Sequence, residues 1–109
     1  MRPRLYVLVR DDLECFGSKA AQVGHAIAEW CAAEASRWHW DGRDVSTPSW
    51  RWNNDYLVIL KVSDEKELRE WYERFKDQAQ AFLEPDLGYS MTAFAVIGKR
   101  EEFKGLKLL

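Results

Sequence analysis

The chain has 109 residues, with 16 Lys and Arg against 18 Asp and Glu and a formal net charge of −2. Such a length bounds one domain, residues 1–109, and 47% hydrophobic residues supply a core without metal or disulfide staples. The charge balance excludes a uniformly basic coat, and Cys15 and Cys31 lack the spacing of a zinc ribbon or disulfide framework.

Leu5-Tyr6-Val7-Leu8-Val9 is a short apolar run ended by Arg10-Asp11-Asp12, which predicts a strand buried on both faces. It is too short for a signal peptide or a membrane span, so a cytoplasmic protein is expected. A helix follows from about Ser18 to Ala35, with Ser18 as its expected N-cap. Residues 36–55 have no clear period and carry Trp38, Trp40, Trp50 and Trp52 among arginines. The first helix is expected to overrun into this segment, with a short helical turn at Thr47-Pro48.

Tyr56 to Val62 repeats the buried-strand pattern. Ser63-Asp64-Glu65-Lys66 predicts a capped helix start, and the helix is expected to run to about Gln78. Its spacing puts Leu68, Trp71, Tyr72 and Phe75 on one face and Glu67, Glu70, Arg74 and Asp77 towards water. Thr92 to Ile97 is a third strand run. The order predicts a single-domain three-layer α/β/α fold around a mixed, mostly parallel sheet of about four strands.

On the first helix, Ser18, Gln22, His25 and Glu29 lie within about 60° of one another, and Ala20, Val23, Ile27 and Trp30 form the opposite, core face. The polar stripe fits two readings: the solvated side of an amphipathic helix, or a functional set. Small neighbours (Ala20, Ala21, Gly24, Ala26, Ala28) allow a ligand or backbone to approach closely. There is no GxSxG elbow, P-loop, GxGxxG turn or HExxH helix.

Four segments carry a family likeness. Gly17-Ser18-Lys19-Ala20-Ala21-Gln22-Val23-Gly24-His25-Ala26, after a strand ending Arg10-Asp11-Asp12-Leu13, resembles the archaeal/eukaryotic-type peptidyl-tRNA hydrolases (the peptidyl-tRNA hydrolase 2 family). Asp86-Leu87-Gly88-Tyr89-Ser90 is similar to the family's Asp-Ala-Gly-Arg-Thr. Thr92 to Gly98 and the ending Leu106-Lys107-Leu108-Leu109 are similar to its last strand and terminus. Ser18 stands where the family has a lysine, with Lys19 one place along; Tyr89 and Ser90 stand for its arginine and threonine.

The resemblance implies hydrolysis of the ester between peptide and tRNA, without a metal or organic cofactor. Water attack on an ester needs a base, donors for the oxyanion and a proton for the departing ribose oxygen. Asp86 is the expected base or water-orienting group. Gln22 is the expected amide donor, Lys19 the positive charge near oxyanion or phosphate, and Ser90 the partner that orients Asp86. His25 is expected to position the helix or contact the ribose end. The expected partner is peptidyl-tRNA or the tRNA acceptor end, without a membrane.

Phosphate contacts have candidates at both ends of the chain: Arg2, Arg4 and Arg10, then Lys99, Arg100, Lys104 and Lys107. The tryptophans fit either base stacking or a roof over the core. Two other readings stand beside the hydrolase: a non-catalytic relative that binds RNA or a protein partner, favoured by the displaced lysine and lost arginine, and a homodimer whose tryptophan patch is only an interface.

Overall fold

In the computed structural model, residues 4–41 and 56–109 are described, with the backbone alone for 35–41. The turn expected at Thr47-Pro48 and the side chains of the tryptophan-rich segment lie outside these residues.

The first apolar run forms β1 (Arg4–Arg10), whose Leu5 to Val9 are all buried. β1 pairs in parallel with β2 (Leu57–Val62), Val7 lying opposite Ile59. A parallel pair needs a crossover, and α1 (Phe16–Asp41) provides it, running past Ala35 as expected. On the other side β1 pairs antiparallel with β4 (Ser90–Gly98), and β4 with β3 (Gln80–Glu84). The two-residue β5 (Lys107–Leu108) lies antiparallel on β2.

The sheet order is therefore β3-β4-β1-β2-β5. β1, β2 and β3 point one way and β4 and β5 the other, so the sheet is mixed as expected, with five strands rather than about four. The β1–β2 ladder alone is parallel among the described residues, because β3 enters the sheet through a short return into antiparallel β4.

Alternation along β1 divides the core in two. Leu5, Val7 and Val9 meet Val23, Ala26 and Trp30 of α1. Tyr6 and Leu8 face the other way and join Leu68 of α2 (Glu65–Phe75), with Phe94 and Phe103. Trp71, Tyr72 and Phe75 pack against this second cluster, as their spacing predicts. Burying each such side chain contributes roughly 1.5–3 kcal/mol, and the two helices on opposite faces complete three layers.

Three local expectations are corrected. Ser18 lies inside α1, which starts at Phe16; Cys15 caps it, its Sγ accepting from the Ser18 N–H at 3.5 Å. At α2 the cap is Asp64, accepting from Glu67 N–H at 2.9 Å, while Glu67 accepts from Ser63 N–H at 2.6 Å. The bracing thus sits one residue later than Ser63 to Lys66, because Asp64 has the extended backbone a cap requires. Ala20 is exposed, since α1 turns Val23, Ala26 and Trp30 to the sheet instead.

Candidate active site at the carboxyl ends of the parallel strands

Open α/β sheets bind ligands outside the carboxyl ends of their parallel strands, where the crossover helix begins. Here that edge collects the ends of β1, β2 and β3, the starts of β4 and both helices, and the turn after β3. Lys19, Gln22, Asp86 and Ser90 lie on these pieces and His25 in the third turn of α1, whereas Arg4, Arg100 and Lys104, expected to contact phosphate, lie at the other end of the sheet.

Gln22 is the buried member, only 8% exposed, because the first turns of α1 press against β3 and β4. Its Oε1 accepts from the Thr92 hydroxyl at 2.7 Å, and its Nε2 donates to Glu84 Oε1 at 3.2 Å. A carboxamide nitrogen has two hydrogens, so one N–H remains to donate. The stripe is therefore divided: Gln22 turns inward, while His25 and Glu29 remain exposed. The His25 ring lies against Phe82, centroids 4.4 Å apart, with Nδ1 3.4 Å from Gln22 Oε1.

Lys19 bends to the end of β1, where its Nζ donates to Asp11 Oδ1 at 2.7 Å; Lys61 from β2 reaches the other oxygen at 3.8 Å. Lys19, first through this hydrogen bond, holds the Asp11 carboxyl below its ordinary range. Two ammoniums share one carboxylate, leaving a net positive charge there. Arg10 forks onto Asp12 at 2.9 and 3.0 Å and donates to Ser90 Oγ at 3.2 Å. That fork pulls the Asp12 carboxyl down as well.

Asp86 sits in the single helical turn Pro85–Leu87. Proline fixes the first position of the turn, and Gly88, at φ 63° and ψ 32°, closes it with its N–H on the Pro85 carbonyl. Tyr89 follows at φ 61°, a left-handed conformation that is costly for a side chain with a Cβ. The Asp86 carboxylate is exposed and, among the described residues, has no hydrogen bond or ion pair. Ser90 is engaged by Arg10 and does not hold Asp86. The turn is anchored instead by Glu84, two residues before Asp86, through its contact with Gln22.

Sequence reasoning missed Thr92 and Glu84 as the partners of Gln22, and Arg10 and Asp11 as organisers of the edge. Arg10 and Asp11 carried a usable signal, since they directly follow a buried parallel strand. Glu84 carried none, because Gln80 to Glu84 is short, polar at both ends and without β-branched residues. Among the described residues no group of three or more His, Cys, Asp or Glu is placed to hold a metal ion.

Among solved structures, the chain is similar to a protein of unknown function, Atu0240, from Agrobacterium tumefaciens str. C58. The two share 15% identity and a TM-score of 0.60, over 100% of this chain and 98% of that one, a likeness of fold. No curated protein matches. The family model described as peptidyl-tRNA hydrolase PTH2 matches residues 4–86, a span holding Arg10, Asp11, Lys19, Gln22, His25 and Asp86 and ending before Ser90 and Thr92. With that match over most of its length, and with the edge those residues build, the chain belongs to the peptidyl-tRNA hydrolase PTH2 family, a family of hydrolases.

Proposed function

We propose that the protein hydrolyses the ester joining a peptide to the terminal ribose of tRNA, in the cytoplasm, with the tRNA acceptor end as its partner. The observation that carries this reading is the buried Gln22 amide, anchored by Thr92 and Glu84, with the unpaired Asp86 carboxylate two residues beyond Glu84. The free Gln22 N–H donates to the carbonyl oxygen as charge develops on it, a contribution typically worth about 10²–10³ in rate. Asp86 orients the attacking water and accepts its proton, then returns that proton to the departing ribose oxygen. General acid–base help of this kind adds about 10²–10⁴. The net positive charge of Lys19 and Lys61 around Asp11 faces the phosphates of the acceptor end, and His25, held by Phe82, contacts its ribose.

The test is release of peptide from N-acetyl-aminoacyl-tRNA. The native chain should cleave it, and Asp86→Asn, at an exposed turn where folding is not threatened, should lose about 10²-fold or more in kcat with tRNA retention unchanged. Equal turnover by Asp86→Asn overturns the assignment of the base.

A second reading, a non-catalytic relative that binds RNA, is favoured by one observation: Lys19 is committed to Asp11, and the Ser18 hydroxyl lies against Cys15 Sγ at 3.4 Å. Folded native protein that retains tRNA without cleaving it would establish that reading in place of the first.

A further inference from the structure

At the opposite end of the sheet lies a cavity of about 750 Å³ that the site above does not use. It opens beside the start of β1, about 20 Å along that strand from Arg10. On that face Phe103 and Leu106 belong to the same core cluster as Val58 and Leu60 of β2. The volume is within the range of small-molecule sites, about 300–1,000 Å³.

The lining has two chemistries. Val58, Leu60 and Leu106 give an apolar floor. Arg4, Arg100 and Lys104 stand around it with one acid, Glu101. The fold is what gathers these cations. Arg4 lies opposite Gly98 in the β1–β4 ladder, so it meets the basic residues that follow β4. Among the described residues none of the three has an ion-pair partner; Arg4 lies over the Tyr56 ring at 4.7 Å. Three cations line the apolar hollow against one lining acid, with Glu102 also near Tyr6, so positive charge is in excess, and a guanidinium fork matches a carboxylate or phosphate.

We propose that this cavity is a second binding site, for a small organic anion with an apolar body: its carboxylate or phosphate held by Arg4, Arg100 and Lys104, its body laid over Val58, Leu60 and Leu106. The site stands apart from the hydrolase edge and does not depend on that reading.

The test is a methyl NMR titration of the full chain with decanoate, decyl phosphate and neutral 1-decanol. Either anion should shift the methyls of Val58, Leu60 and Leu106 saturably, and 1-decanol should bind about tenfold more weakly. Arg100→Glu, at an exposed position, should weaken anion binding about tenfold and 1-decanol binding less than about twofold. The proposal is overturned if no saturable shift occurs at these methyls, if 1-decanol binds as well as the anions, or if Arg100→Glu leaves anion binding unchanged. Shifts confined to Leu83 and Leu87, beside the hydrolase edge, overturn it as well.

Discussion

A single carboxamide, Gln22 of α1, ties two strands, β3 and β4, together at the candidate site. Its oxygen satisfies the buried Thr92 hydroxyl, and its nitrogen reaches Glu84. Gln22→Ala should therefore cost about 1–3 kcal/mol in stability, since it leaves the Thr92 hydroxyl buried without a partner. A urea midpoint lowered at constant slope would register that cost. Thr92→Val in the same background should cost less than in the native chain, and strict additivity of the two would show that the bond contributes nothing. The acids along this edge carry a second prediction. Asp11, Asp12 and Glu65 are all held below their ordinary values, by Lys19, by Arg10 and by the Met91 N–H respectively. A depressed folded value means the contribution is complete above the unfolded value and is lost as pH falls through the folded one. Stability should thus decline on acidification below about pH 4. Glu65→Gln should flatten part of that decline in pH-dependent thermal unfolding.

At the scale of elements, two positions test how the layers are held. Gly98 ends β4 under the Phe103 ring, and a Cβ there would lie 2.8 Å from Phe103 Cε2. The ring has little freedom to yield, stacked on Tyr6 at 4.2 Å and on Phe75 at 5.1 Å. Gly98→Ala should cost about 1–3 kcal/mol by overpacking, measured as a fall in Tm, and a neutral result would mean that this stack rearranges freely. The start of α2 offers a smaller, cleaner change. Asp64→Ala removes the bond to Glu67 N–H and should cost about 1 kcal/mol. Element identity was legible at this scale wherever an apolar run or a helical period was clear, as in β1, β2, β4 and α2, although β2 buries only Leu60 and Val62 rather than both of its faces. Cap positions were not, because Ser18, like Ser63 beside Asp64, has the composition of a cap, and only backbone conformation decides which residue serves. β3 was illegible for a different reason. Its hydrogen bonds come from β4, and five residues of mixed polarity do not announce a partner that lies beyond them in the chain.

The whole molecule is a sheet with two chemically different ends. One end carries the carboxylates, the Gln22 amide and the two lysines; the other carries unpaired cations around an apolar hollow. Its net charge of −2 conceals this division, which follows from β1 and β4 running in opposite directions and bringing distant segments together. If tRNA is bound at the first end, retention should weaken steeply with salt, and Lys61→Ala should reduce the logarithmic salt slope by about one unit. An unchanged slope would remove Lys61 from the phosphate contacts.

By itself the sequence determined the two-helix α/β plan, the buried strands and the family, because hydrophobic period and the Ala-Ala-Gln-x-x-His-Ala segment are local properties of the chain. It also named Gln22, Lys19, His25, Asp86 and Ser90, and all five occur at one edge of the sheet. Only the tertiary structure decided what each of them touches. Gln22 is buried because α1 leans on β3 and β4; Lys19 meets Asp11 because β1 ends beside the first turn of α1; Ser90 accepts from Arg10 because β4 starts where β1 stops. Those partners lie from 8 to 80 positions apart in the chain, and the longer separations are set by strand register and helix placement, which are properties of the packed molecule as a whole.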